Sequence, residues 1–151
     1  MRIIRINNTQ GNFVFELFDK YRTFYKQGSN IQLAKSYIQA RLDNNESIIF
    51  AALNEHSIPI GFTQLYPNYS SVRAIKNWTL NDLYVEKEYR KLGVGKELIM
   101  AALNFARENN AKFVELSTAV DNYTAQSLYE QIGFEKQNPD AEFYTYRINV
   151  T

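Results

Sequence analysis

The sequence predicts an α/β fold in which a mixed, mostly antiparallel sheet carries helices on both faces. Three observations predict it. Apolar residues recur at helical spacing in four stretches, and six short β-rich runs stand between or after them. The order is strand, two helices, three strands, helix, strand, helix and a last strand-like run, which a mixed sheet with helices on each side accommodates. Gly, Pro and Ser nowhere cluster long enough to make a linker, and no repeat recurs at solenoid spacing, so residues 1–151 are expected to form a single domain.

Arg2 to Asn7 reads as the first strand. Asn12 to Gln27 carries Phe13, Leu17, Phe18, Tyr21, Phe24 and Tyr25 at helical spacing, and Gly28 is expected to close that helix. Ser29 or Asn30 supplies an N-cap for a second helix whose apolar face is Ile31, Ala34, Ile38 and Leu42. Ser47 to Leu53 and Ile60 to Tyr66 read as a hairpin about the turn Asn54-Glu55-His56-Ser57. A polar connection leads to a strand at Trp78 to Val85. Gly93 to Asn109 follows as a helix with Leu98, Ile99, Ala102, Leu103 and Ala106 on its buried stripe. Lys112 to Thr118 is the next strand, Asn122 to Gln131 a short helix ended by Gly133, and Phe143 to Asn149 a strand-like finish.

Composition narrows the function classes. Seventeen Lys and Arg against sixteen Asp and Glu give a net charge of +1, so no global field recruits nucleic acid or an anionic membrane. There is no cysteine and one histidine, which removes disulfides, thiolate chemistry and metal sites built on several histidines; no metal is expected. The N-terminus lacks the long apolar core of a signal peptide, and no window reaches the roughly 18 uninterrupted apolar residues of a membrane span. A cytoplasmic location is the expectation.

The most informative segment is Arg90-Lys91-Leu92-Gly93-Val94-Gly95-Lys96, which runs from the end of a strand into a helix. The first turn of a helix leaves amide N–H groups without intrahelical partners, and the helix dipole adds positive charge there. Such an end attracts phosphate. Glycine permits close backbone approach, and Arg90, Lys91 or Lys96 can add charge to the same anion. Glycine at a helix start is also an ordinary turn residue. Neither the nucleotide-triphosphate loop nor the dinucleotide fingerprint is present, so the anion would be held in another way.

Arg90-x-x-Gly93-x-Gly95 resembles the central motif of the GNAT superfamily of acetyl-coenzyme A dependent N-acetyltransferases, Arg/Gln-x-x-Gly-x-Gly/Ala after a strand. A second signature of that family is matched at Asn122-x-x-Ala125-x-x-Leu128-Tyr129-x-x-x-Gly133-Phe134. The resemblance follows the element order along nearly the whole chain and is weakest over about the first 75 residues. It implies the GNAT fold and an N-acetyltransferase moving acetyl from acetyl-CoA to a primary amine of a small molecule, such as an amino-acid-like compound or a polyamine, or of a protein. It further implies that backbone amides from Leu92 to Lys96 cradle the pyrophosphate, that main-chain groups of Leu83 and Val85 pair with the pantetheine arm as an added strand, and that Tyr129 is the general acid. The alternative is a non-catalytic acyl-CoA-binding module.

Attack of an amine on a thioester needs a neutral amine, a stabilised oxyanion and a proton for the departing thiolate. A phenol with reference pKa near 10 can protonate a thiolate, which suits Tyr129; a packing tyrosine is the bland reading of the same residue. Asn122 either bonds the pantetheine arm or simply caps its helix. In the polyamine-acetylating branch that Trp78 to Val85 resembles, a carboxylate occupies the position matching Asn81, and asparagine cannot take a proton in that way. A water-relayed base is the preferred reading, with Asp82 the lesser candidate, since it points to the opposite face unless the strand is bulged. His56 reads as a solvated turn residue.

On the acceptor side the resemblance gathers Tyr21, Arg22, Tyr25, Tyr66 and Asn81. An aromatic rim with few acids can hold an ammonium by cation–π attraction, and Arg22 or Arg73 can pair with a carboxylate. Most of the eleven tyrosines are expected simply to pack. A homodimer through the tyrosine-rich C-terminal strands is a further expectation.

Overall fold

Five strands and four helices form in the computed structural model, which describes residues 1–151. They are β1 (Arg2–Arg5), α1 (Phe15–Phe24), α2 (Ile31–Asp43), β2 (Ile48–Leu53), β3 (Pro59–Ser70), β4 (Ile75–Val85), α3 (Val94–Glu108), β5 (Val114–Glu115) and α4 (Tyr123–Ile132). The chain divides into two compact units, Met1–Ser117 and Thr118–Thr151. No helix is long and apolar enough to cross a membrane.

In the first unit the strands lie in the order β1-β2-β3-β4-β5, antiparallel throughout except for the parallel pair β4 and β5. Alternation along the strands sends side chains to two faces. On one face Ile49, Ala51, Leu53 and Phe62 pack with Val14, Leu17 and Phe18 beside α1 and with Ala34, Ile38 and Leu42 of α2. On the other, Phe105 of α3 meets Phe50 at 6.2 Å and Trp78 at 5.0 Å between ring centroids. Each large apolar side chain buried this way contributes roughly 1.5–3 kcal/mol, which is why the helices sit on the sheet rather than beside it. Leu98, Ile99, Ala102 and Ala106 are buried as the spacing predicts; Leu103 is half-buried and Phe105 completes the stripe.

Several boundaries differ from the sequence reading. The first helix starts after a single 3-10 turn at Gly11–Phe13 and ends at Phe24. Its closure is made by Lys26, which takes the left-handed conformation at φ 66°, and by Gln27 N–H donating to the Arg22 carbonyl at 3.0 Å. Gly28 therefore does not cap it. Asn30, not Ser29, caps α2, its side chain accepting from Leu33 N–H at 3.1 Å. The two central strands run longer than expected and pair as far as Ser70 with Ile75, because the polar residues between them can still complete the ladder on an exposed hairpin.

The strand expected over Lys112 to Thr118 shrinks to Val114–Glu115, paired with Trp78 and Thr79. The Asn77 side-chain oxygen accepts from Lys112 N–H at 2.8 Å and Phe113 N–H at 3.1 Å, taking the amides an earlier start would use. In the second unit, α4 is followed by no strand: Phe143 to Asn149 is exposed and joins no ladder, since alternating residues make a strand only where another backbone meets their N–H and C=O groups.

Candidate active site

Pairing between β4 and β5 stops at Thr79, so β4 from Leu80 to Val85 has β3 on one side and no β5 partner on the other. Glu86 N–H donates to the Ile60 carbonyl at 2.8 Å, so even-numbered residues at this end turn their main-chain groups toward β3. Leu83 and Val85, offset by one, turn theirs to the open edge. Beyond the edge comes the turn Lys91-Leu92-Gly93, exposed throughout, with Lys91 at φ 63° and Gly93 at φ 85°. Gly93 is the N-cap of α3, and no side chain caps the helix. The first-turn amides, at Val94, Gly95 and Lys96, are thus left without an intrahelical acceptor. An uncapped helix start beside an open strand edge fits a pyrophosphate followed by an extended amide-bearing arm, which is the outline of coenzyme A.

Arg90 is engaged elsewhere. Its Nε donates to the Val85 carbonyl at 2.9 Å, and its guanidinium lies 5.9 Å from the Phe24 ring centre and 5.7 Å from that of Tyr84. Lys20 of α1 pairs with Glu86 at 2.9 Å, a second tie between α1 and this end of β4.

The centre of β4 is bulged. Gln64 pairs with Asp82 but the next residue, Leu65, pairs with Leu80, so Asn81 has no residue opposite it. The consequence is visible in the side chains. Trp78 packs on Phe105 of α3, and in a regular strand Asp82, four residues on, would share that face. The extra residue turns Asp82 to the α1 and α2 face instead, the condition under which the sequence reading admitted it. Its residue is 2% exposed. Gln64 Nε2 donates to one carboxyl oxygen and Asn81 Nδ2 donates to the other at 2.7 Å. The Tyr21 hydroxyl lies against both the Asp82 carboxyl and the Asn81 carbonyl, the latter at 3.2 Å. Burial pushes the Asp82 pKa above the ordinary carboxylate value, opposed by the bonds from Asn81, Gln64 and Tyr21. A carboxylate tuned in this direction is a better match to proton transfer near neutral pH.

Aromatic rings surround this carboxyl. Tyr21 packs edge-on against Phe62 at 5.9 Å and Tyr25 at 5.0 Å. Tyr66 and Tyr37 share a hydroxyl–hydroxyl bond of 2.7 Å, and burial followed by that bond drives the Tyr66 pKa up. Arg22 Nη1 is buried with no hydrogen-bond acceptor in the protein. Arg73 lies exposed in the β3–β4 loop, and His56 lies exposed in the β2–β3 turn beside Glu55 at 3.7 Å. The sequence reading missed Gln64, Ser47 and Tyr37. For Gln64 a signal existed, a long polar side chain inside the apolar run Ile60 to Leu65.

In the second unit, the Asn122 side chain accepts from Ala125 N–H at 3.2 Å and caps α4. Gly133, at φ 119°, ends the helix, with Phe134 N–H closing on the Tyr129 carbonyl at 3.0 Å. Tyr129 packs edge-on against Phe134 at 5.9 Å.

Comparison with known proteins agrees with this geometry. The chain is 42% identical to the uncharacterized N-acetyltransferase YhfO of Bacillus subtilis (strain 168), over 99% of this chain and 98% of that one. A crystal structure of a probable acetyltransferase, 38% identical, superposes with a TM-score of 0.88 over 100% of this chain and 99% of its own. The aminoglycoside N-acetyltransferase AAC(6')-Iy in complex with CoA shares the fold at 20% identity, with a TM-score of 0.80 over 97% of this chain and 95% of that one. The model of the acetyltransferase (GNAT) family matches residues 12–134, well over half the sequence, and the chain belongs to that family.

Proposed function

We propose that this protein transfers an acetyl group from acetyl-CoA to a primary amine, with Asp82 taking the proton of the acceptor ammonium and Tyr129 returning one to the departing thiolate. The observation that carries it is the bulge at Asn81, which supports Asp82 as the base by turning a buried carboxyl toward Tyr21 and Tyr66. Acetyl-CoA, when bound, supplies the activated acyl group. First-turn amides of α3 after Leu92 and Gly93, with Lys91 and Lys96 adding charge, would hold its pyrophosphate, and the open edge at Leu83 and Val85 would hold its arm. Tyr129 rests on its match to the family signature, and Asn122 serves it by capping the same helix. The family match runs through both compact units, which supports reading them as one acetyltransferase domain.

The acceptor is of amino-acid-like character. Tyr21, Tyr25 and Tyr66 offer ring faces to an ammonium, and the unpartnered Arg22 Nη1 offers a donor to a carboxylate. The test is free-thiol release from acetyl-CoA against pooled amino acids, polyamines, aminoglycosides and short peptides, with Asp82→Asn and Tyr129→Phe run alongside. Release with the amino-acid or peptide pools that falls in both variants supports the proposal. Binding of acetyl-CoA with no release from any pool supports a sensor instead.

A further inference from the structure

Asp82 is held by a chain of side chains that begins on the far side of the neighbouring strand. Ser47, just before β2 and buried, donates its hydroxyl to Gln64 Oε1 at 2.7 Å, and Gln64, fully buried on β3, donates its Nε2 to Asp82. Thr63 donates its hydroxyl to the Asp82 carbonyl at 2.7 Å, so the backbone at the bulge is gripped as well. A carboxylate can only accept, so it takes the amide nitrogen of Gln64 and leaves the amide oxygen on the other side, where the Ser47 hydroxyl, able to donate or accept, donates to it. The sense of the Gln64 amide is therefore set by the Asp82 carboxylate, and Ser47 holds the amide in place from its other end.

We propose that Gln64 is a positioning residue for the reaction: it fixes the orientation of the Asp82 carboxyl, with Ser47 fixing Gln64 in turn. The inference rests on the reading of Asp82 as the base. Gln64 is four residues from Ile60 and two from Tyr66, in the one strand that touches both the bulge and the aromatic wall, and it has no other side-chain partner than Ser47 and Asp82 among the hydrogen bonds of the structure. The ionisable groups that face Asp82 are Tyr21 from α1 and Tyr66 from β3, with Tyr37 and Arg41 of α2 behind Tyr66 and Asn81 as the neutral donor on its own strand. Asn81 and Tyr21 also bond this carboxyl but are exposed and half-buried, so Gln64 is its one fully buried side-chain donor. A bond to the charged form favours that form, so losing Gln64 makes the carboxyl hold its proton to higher pH.

The test needs no acceptor. The Asp82 carboxyl is titrated by carbon-13 NMR in the full chain, in the native protein, Gln64→Met, Ser47→Ala and Ile38→Val. Gln64→Met should raise the apparent pKa by about one unit, a tenfold change in the acid constant, and Ser47→Ala should move it the same way by less. Ile38→Val, a core truncation away from the chain of bonds, should leave it in place, which separates positioning from general loosening. An Asp82 titration unchanged in Gln64→Met overturns the proposal; if that variant does not fold, an unchanged titration in Ser47→Ala does so. Full thiol release by Asp82→Asn would remove Asp82 as the base while the NMR shift still stood, so the two failures are distinct.

Discussion

Asp82→Asn probes the buried carboxyl through stability alone. Asp82 is 2% exposed, and burial raises its pKa above the ordinary carboxylate value, about 3.8 in the unfolded chain. A carboxyl raised in the native state keeps its proton where the unfolded chain has released it. Its contribution is then fully present below about pH 3.8, declines as pH rises through the native pKa and is level above it. One proton limits the slope to about 1.4 kcal/mol per pH unit. Asparagine keeps the shape and has no proton to lose, so every other titration cancels when the variant is subtracted from the native protein. The assay is urea unfolding of both at intervals between about pH 4 and pH 8, with m-values compared to show that the unfolded states match. The native protein should lose ground to Asp82→Asn as pH rises, by up to that slope, and then run parallel. Parallel curves throughout, or a native protein that gains on the variant as pH rises, would refute the reasoning, because the hydrogen bonds from Gln64, Asn81 and Tyr21 would then outweigh burial.

Gly61→Ala should cost about 1–3 kcal/mol, since its Cβ would stand 2.9 Å from the Tyr84 backbone oxygen and 3.3 Å from Leu98; thermal unfolding reads it as a fall of several degrees. Gly93→Ala meets nothing within 4 Å and should cost only the left-handed strain, about 1–2 kcal/mol, whereas Gly93→Glu should abolish coenzyme A binding in calorimetry by adding a charge to the anion site. Tyr129→Phe should lower turnover while leaving cofactor affinity nearly intact; full activity would remove Tyr129 from the chemistry. His56→Ala should change neither rate nor pH profile, as expected of an exposed turn residue.

What was legible in the sequence followed from groups with few conformational options. Gly93 and Gly133 mark left-handed positions, and Asn30 and Asn122 mark helix starts, because few residues serve there. The stripe of α3 showed through its period. The bulge did not show, because Leu80-Asn81-Asp82-Leu83 has the same composition bulged or straight, and only the pairing partner decides which face Asp82 takes. The shortened β5 was hidden for a like reason: its start is set by Asn77, more than thirty residues earlier in the chain. Lys26 in the left-handed role shows the opposite case, a residue doing what Gly28 was better suited to do, because the Arg22 carbonyl needed closing two residues sooner.

The unpaired side of β4 has a meaning for encounters between copies of the protein. Backbone groups waiting for a partner form a template, and a strand from a neighbouring molecule is as able to complete it as a pantetheine arm. Arg90 sits on that template, its Nε on the Val85 carbonyl and its charge between two rings. A cation at an exposed edge makes a second backbone an unwelcome neighbour, so the guanidinium works against strand-to-strand self-association along this edge.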